Sequence, residues 1–434
     1  MITAPRSCGP LPRQRELGAG MDYINPYTCV RVIEGELMDR TAVVIGGGVG
    51  GLATALALTR TGWKVALFEQ AQEIRALGAG ITLAPNAVRA IDWLGLGGEL
   101  RATGVIQGGA GLRTSSGHWL MRTHIEELKR RFGVPGFALH RTDLITMLTK
   151  ALPENVISTG HRVTDVNAAE GTVSYTGPQG PRTVTADLVV ASDGLHSRSR
   201  EKLFPGHPAP AYANYITWRG VVPEEKVSGL RLGSLTESWG RGRRFGIAPL
   251  VDGRVYWYAT LGLPEGSLPE ATLEELADCF RGWHEPIPHL LASTPPESLL
   301  RHDIYSLTTP LPTYVAGSVA LLGDAAHAVT PDLAQGACQA LEDAVTLAET
   351  LDREPDVRAA LKAYDMVRRP RTQRLVRVSA QAGRLAQAHR PVTAFLRDAL
   401  AWVVPTPLYM RIITETLSWR PAPGSRPTRP IGPG

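Results

Sequence analysis

Three short stretches of the chain carry residue types and spacings that could do chemistry. The first is Gly46-x-Gly48-x-x-Gly51, set in AVVIGGGVGGLATALALTRTG between an apolar strand-like run and an Ala/Leu-rich helix-like run. Gly46 permits a tight turn, Gly48 lets a pyrophosphate approach the backbone, and Gly51 lets helix and strand pack closely. Free N–H groups and the dipole at the helix start favour phosphate charge. A second strand-like run, KVALFEQ, ends in Glu69-Gln70. An acid there, about eighteen residues beyond the last glycine, suits a ribose diol and disfavours a 2′-phosphate. This motif alone leaves NAD and FAD both open.

The second stretch is DLVVASDGLHSRSR (187–200), where Asp193-Gly194 follows a buried-looking strand. An isolated Asp-Gly reads as a turn, but a similar arrangement recurs in SVALLGDAAHAVTPDLAQG, where a strand runs straight into Gly323-Asp324. An acid at Asp324 can accept hydrogen bonds from the hydroxyls of a ribityl chain, and Ala325 and Ala326 leave room for it. Pro331 helps hold the turn, and Leu333-Ala334-Gln335-Gly336 opens the next helix. N–H groups there would face the pyrimidine edge of a flavin, where reduction puts negative charge. His327, inside this turn, reads as structural packing rather than catalysis.

A GxGxxG near the start, a central Asp-Gly and a late Gly-Asp, in that order, resemble the class A flavoprotein monooxygenases, relatives of para-hydroxybenzoate hydroxylase. GDAAHAVTPDLAQGACQALEDAV is similar to the salicylate hydroxylase, zeaxanthin epoxidase and bacterial urate hydroxylase branch, and GAGITLAPNAVRAI (78–91) and LHRTDLITMLTKAL (139–152) also look like the family. The resemblance spans roughly residues 39–385. It implies non-covalent FAD held by Glu69 with Gln70, Arg141, Val163, Asp324 and the backbone of Ala334, Gln335, Gly336, Ala337 and Cys338, with Arg75 a weaker carry-over. It also implies reduction by NADH or NADPH without a separate nicotinamide domain. A flavin C4a-hydroperoxide then hydroxylates or epoxidises an aromatic or conjugated small molecule. The protein itself would orient substrate, exclude water and adjust a proton.

The substrate is expected against the strands YITWRGVVP (215–223), RRFGIAP (243–249) and RVYWYAT (254–260). Tyr215, Trp218 and Tyr256 would form walls, and Arg244 would pair with an anionic substrate. In the urate hydroxylase pattern an arginine, a tyrosine and the aspartate of Thr-Pro-Asp line the site. Arg244, Tyr256 and Asp332 match those types, so a urate-type heteroaromatic substrate is one alternative. A flavin oxidoreductase without oxygen insertion, such as a prenyl-chain reductase, and a non-catalytic FAD protein are the others; a halogenase lacks its WxWxIP-like segment here.

The elements that must position these residues follow a strand–helix–strand start, a β-rich middle and a return to α/β with long helices. The fold class is α/β: a Rossmann-like FAD-binding domain interrupted by a β-sheet-rich substrate domain, with C-terminal helices. Residues 1–37 read as a disordered or mis-started leader, with Met1, Met21 and Met38 as possible starts. The FAD domain takes 38–210, with some substrate-domain elements, and 311–390; the substrate domain takes 211–310. Amphipathic helices at 391–419, interrupted by Pro405 and Pro407, would cover the substrate entrance or form a dimer or membrane surface. Residues 420–434 read as a disordered tail.

In 434 residues, 43% hydrophobic and 20% charged content are those of a globular protein, and the net charge of +5 is modest. The densest basic run, Arg368, Arg369, Arg371, Arg374 and Arg377, reads as a solvated helix face, not a nucleic-acid groove reader. Four scattered cysteines, Cys8, Cys29, Cys279 and Cys338, fit a reduced cytoplasmic setting without zinc or disulfides. No apolar run is long enough to span a membrane, and a monomer or homodimer is expected.

Overall fold

The computed structural model describes residues 40–425 except 75–78, 107–109, 123–124, 231, 233–234, 268–271 and 404–413. The expected leader, Arg75, Pro405 and Pro407 therefore lie outside the described residues.

The strand Thr41–Ile45 is an apolar run with four of its five residues buried, as a parallel strand covered on both faces should be. It pairs in parallel with Lys64–Phe68 on one side and Leu188–Ala191 on the other. Ile157–Ser158 and Val319–Leu321 extend the parallel sheet outward, and antiparallel Val315–Ala316 closes one edge. The helix Val49–Arg60 leaves the glycine turn with all residues from Gly51 to Leu58 buried. A Cβ on Gly50 would come within 2.8 Å of Leu322 and 3.2 Å of Ala340, so glycine is what lets this helix sit against both. Thus the glycine turn, Asp193 and Gly323-Asp324 all end up at the same edge of one sheet, after parallel strands. Ligands bind at such strand ends in open α/β sheets.

The β-rich middle forms a seven-stranded sheet in the order Leu300–Ser306, Ala211–Val222, Val255–Leu261, Arg243–Pro249, Leu235–Trp239, Ala110–Thr114, Trp119–Arg122. Its period-2 alternation separates two faces. Ile216, Trp218, Val222, Phe245, Ile247 and Trp257 pack on one face with Leu276, Phe280 and Leu290 from two short helices. The opposite face carries Tyr256 and Val221, packed with Ala79 and Ala138 of the first segment. We call this the inner face.

Three expectations need correction. Trp218 is not a substrate wall: it is 1% exposed in the outer core, because it shares strand parity with Ile216 and Val222. The arginine run is only partly a solvated face: Arg374 and Arg377 are exposed, but Arg368 is not. Arg368 is fully buried in the long helix Val357–Ala386, paired with Glu342 and Asp343. The free tail does not begin at 420, since the Ala422 N–H donates to Glu349 Oε1 at 2.8 Å and Trp93 Nε1 donates to Ser425 Oγ at 3.3 Å. Residues 426–434 lie outside the description.

The helix Pro391–Val403 buries Ala394 and Arg397 and leaves Val392, Phe395, Leu396, Leu400 and Trp402 exposed. Among the described residues, no helix is long and apolar enough to cross a membrane, and no three His, Cys, Asp or Glu gather as a metal-binding group.

Candidate cofactor and substrate site

The glycine turn is built by backbone demands that side chains could not meet. Gly46 has φ +101°, and a Cβ there would lie 2.6 Å from the Ser192 carbonyl oxygen. At Gly51 a Cβ would come within 1.9 Å of the Gly46 carbonyl oxygen. Gly48, in contrast, faces open space: it is exposed, and nothing lies within 4 Å of where its Cβ would be. Tight packing behind the turn and open space before it is the shape a pyrophosphate requires. Glu69 braces the turn, accepting from Gly47 N–H at 2.6 Å and from Ala71 N–H at 2.8 Å. Its carboxylate keeps lone pairs for further donors. Gln70 beside it is exposed. His161 N–H donates to the Glu69 carbonyl at 2.8 Å, bringing Val163 and the strand Arg162–Asn167 beside the same end.

Asp193 differs from the expectation of direct cofactor contact. Its carboxylate accepts from Ser197 Oγ at 2.6 Å and from Ser199 N–H at 3.0 Å. It thereby organises the entry to the helix Arg198–Leu203. Its backbone lies against the Gly46 turn, so the Asp-Gly pair supports the cradle from behind.

Asp324 and Arg141 share an uncommon pair of properties. Both side chains keep exposed surface, yet burial raises the Asp324 carboxyl pKa and lowers that of the Arg141 guanidinium. The carboxyl and the guanidinium also each sense the other's charge, so the two lie near one another at this end of the sheet. Gly323, at φ +60°, aims the Asp324 turn in a conformation that disfavours side chains.

After Pro331, the turn Pro331–Leu333 ends on Ala334 at φ 51°, a left-handed conformation uncommon for alanine. Such outliers cluster at ligand clamps. The helix Gly336–Arg353 then starts with no side-chain cap among the described residues, so its first N–H groups are open donors. Ala334 is exposed, and a Cβ on Gly336 would meet only Val329, at 3.8 Å. Ala337 is half-buried and Cys338 wholly buried. Burial pushes the Cys338 thiol up to about 12, so it is no nucleophile. An uncapped helix start, an accessible acid and an open glycine turn, the last two following strands of one sheet, fit FAD.

Behind this surface lies a buried polar network that sequence reasoning missed. Arg368 donates to Asp343 Oδ1 at 2.6 Å and to Glu342 Oε2 at 2.5 Å. Arg371 donates to Glu342 at 2.7 and 2.8 Å, and Asn86 Nδ2 donates to both Glu342, at 2.6 Å, and Gln335, at 2.9 Å. Asp343 Oδ2 lies 2.6 Å from His327 Nε2 and accepts from Gly323 N–H at 3.0 Å. Burial alone would raise the Asp343 carboxyl, but His327, Arg368 and the Gly323 N–H hold it far below the ordinary carboxylate range. His327 is thereby a buried brace of the Gly-Asp turn, as expected.

On the inner face, the residues expected to bind substrate form a second internal network. Arg244 Nη1 lies 2.9 Å from Asp332 Oδ1, and Arg244 Nε lies 3.3 Å from Glu237 Oε1. Tyr215 donates its hydroxyl to Asp332 Oδ2 at 2.9 Å, and Tyr258 donates to Glu237 Oε2 at 2.8 Å. The Asp332 side chain has no exposed surface and that of Arg244 only 5%. Burial alone would lower the Arg244 pKa, but Glu237 and Asp332 hold it above its ordinary value. Burial and the Asp332 charge together hold the Tyr215 hydroxyl well above its ordinary pKa. Arg244, Asp332 and Tyr215 thereby form a strut tying the sheet to the Pro331 turn. Glu237, which sequence reasoning did not select, shares strand parity with Trp239 and Leu235 and supplies the second carboxylate. Tyr256 lies against Gly80, where a Cβ would fall 2.3 Å from its ring. Burial raises its hydroxyl pKa, with Arg219 acting in the opposite sense.

The site is that of a flavoprotein in which a glycine-turn domain carries the cofactor and a β-sheet faces it. Residues 39–379 match the family described as FAD binding domain. The chain is 37% identical over 363 residues to the aurachin C monooxygenase/isomerase of Stigmatella aurantiaca, covering 83% of this chain and 93% of that protein. It is 35% identical over 353 residues to the 3-amino-4-hydroxybenzoate 2-monooxygenase of Streptomyces cremeus, covering 80% and 87% respectively. Klebsiella pneumoniae HpxO complexed with FAD and uric acid superposes with a TM-score of 0.79 at 29% identity, covering 87% of this chain and 96% of that one. The chain belongs to the FAD-binding-domain family and, within it, to the class A flavoprotein hydroxylases, FAD-dependent monooxygenases that consume O2 and reduced nicotinamide.

Proposed function

We propose that the chain inserts one oxygen atom of O2 into an electron-rich aromatic or conjugated small molecule. The overall balance is substrate–H + O2 + NAD(P)H + H⁺ → substrate–OH + H2O + NAD(P)⁺; epoxidation of an alkene consumes the same O2 and NAD(P)H. Bound FAD supplies the chemistry, taking two electrons from the nicotinamide and activating O2 for transfer. The chain's own residues hold and enclose it. The Gly46–Gly51 turn receives the pyrophosphate, Glu69 and Gln70 the ribose, and Asp324 with Arg141 the linking chain. The N–H groups of Gln335 to Cys338 receive the ring's electron-rich edge. Residues 38–210 and 311–390 carry this half, and residues 211–310, joined by the strands Ala110–Thr114 and Trp119–Arg122, supply the substrate-facing sheet.

The single observation that carries the reading is the neighbouring, exposed pair Asp324 and Arg141, together with the uncapped start of the Gly336 helix. The inner face lies across from it through Arg219, which Arg141 and Tyr256 both feel electrostatically. Two relatives above 30% identity that carry monooxygenase names support oxygen insertion over a reductase or a structural FAD protein. Single-turnover oxidation of NADH and NADPH by the FAD-loaded protein under ¹⁸O2, across phenolic acids, purines, indoles and quinolones, tests it. Label in a product supports the reading; repeated nicotinamide oxidation without O2, beyond the one equivalent that reduces bound FAD, contradicts it. We also place the protein in the reducing cytoplasm, on its scattered cysteines; recovery with the cell envelope on fractionation would contradict that.

A further inference from the structure

The inner face holds one cluster of polar atoms that the described residues leave without partners. On the strand Ala211–Val222, Thr217 and Arg219 point to the same face as Val221 and Tyr256. Thr217 pairs directly with His302 of the neighbouring strand, and Arg219 pairs with Tyr258 on the other side. Thr217 Oγ1, Arg219 Nε and His302 Nδ1 are each buried with no hydrogen-bond partner among the described residues. Buried polar atoms are almost always paired, and leaving one without a partner is costly. Three orphans at adjacent cross-strand positions describe a ligand site more economically than three independent defects.

We infer that Thr217, Arg219 and His302 form the recognition site for an acidic oxygen on the substrate ring, a carboxylate, phenolate or enolate. The inference rests on the monooxygenase reading and names the substrate class for that site. The donor set fits such an oxygen. Arg219 supplies N–H donors with fixed positive charge, and Thr217 supplies a hydroxyl donor. Burial and the charges of Arg219, Arg141 and Arg301 push the His302 imidazole down to about 4, so at neutral pH it adds a hydrogen-bonding nitrogen without charge. Arg244, the cation first suggested by sequence, is unsuited to receiving an anion, because two carboxylates of the chain already balance it. Two negative charges around one positive would repel an anion at that end of the sheet, while the Arg219 end attracts one.

The probe is benzoate, an aromatic monoanion, with phenol as its neutral counterpart at pH 7. Each is titrated by calorimetry into the FAD-loaded full chain, wild type, Arg219→Gln and Thr217→Val. Wild type should bind benzoate more tightly than phenol. Arg219→Gln should raise the benzoate Kd about 10- to 100-fold, the loss of a charge-assisted hydrogen bond. Phenol should shift by no more than about 2-fold, and Thr217→Val should weaken benzoate by roughly 3- to 10-fold. FAD content and melting temperature, read on the same samples, separate binding from folding. The inference is overturned if wild type shows no preference for benzoate, or if Arg219→Gln binds it unchanged. It is also overturned if Arg219→Gln purifies without FAD, which would assign Arg219 to the cofactor. Failure of ¹⁸O transfer with these Kd values intact would instead strike the monooxygenase reading and leave the anion site standing.

Discussion

Two polar regions of this molecule differ in one respect. Around Arg368, every charged group is answered by another within the chain: two carboxylates, a second arginine, a histidine and a backbone N–H. Around Arg219, by contrast, three neighbouring polar atoms are buried and unanswered among the described residues. The first pattern fixes a shape, because removing any member strands its partner in a low-dielectric interior. The second leaves interaction energy for something outside the chain. Arg244 resembles the active-site cation in residue type and position along the sequence, yet by this criterion it belongs to the first class.

The sharpest way to break the contrast is Arg368→Ala. It removes the cation shared by Glu342 and Asp343, both with fully buried side chains, and should cost about 3–5 kcal/mol. Chemical denaturation measures this; a loss under about 1 kcal/mol would show that the network is not structural. Next is Asp324→Ala, which removes the exposed acid assigned to the cofactor's linking chain while leaving the fold. It should yield protein of near-native melting temperature purified largely without flavin absorbance; full FAD occupancy would remove Asp324 from the cradle.

Arg244→Met should lower stability by about 2–4 kcal/mol, because Asp332 loses a buried partner, while kcat/KM per folded, FAD-loaded chain changes less than with Arg219→Gln. The reverse ranking would return Arg244 to the substrate. Acid supplies a graded test of the paired region. Asp343's folded pKa lies below the ordinary value, so its contribution is fully present above about pH 4 and is lost as pH falls further. The melting temperature of wild type should fall through that window more steeply than that of Asp343→Asn. The smallest effect is expected from Tyr256→Phe, which keeps the ring against Gly80 and removes one hydroxyl. It should raise KM by roughly 2- to 10-fold with FAD content unchanged.

Much of the cofactor half was legible in the sequence because its demands are local. Gly46, Gly51 and Gly323 are required by backbone geometry within a few residues, and Gly48 and the acid at the next strand end lie within the same short motif. The sheet was harder, since a strand's chemistry depends on which face each residue takes. The alternation in YITWRGVV held the signal: Trp218 keeps step with Ile216 and Val222, and Arg219 with Thr217 and Val221. Parity would have placed Trp218 in the outer core and drawn attention to Arg219. Helical period similarly marked Arg368, which falls in step with Leu361, Tyr364, Thr372 and Leu375 on the buried side of its helix. What no local pattern could show is that Glu237, Asp332 and Arg244 meet. Their approach joins a hairpin to a turn roughly ninety residues away, and it decides whether the arginine is free to act.

A crystal structure of the full chain with FAD and benzoate tests the account most directly. It should show the cofactor's linking chain at Asp324 and Arg141, and the benzoate carboxylate within hydrogen-bond distance of Arg219 and Thr217, with the Arg244–Asp332 pair intact. A carboxylate seated on Arg244, with Asp332 and Glu237 displaced, would contradict it.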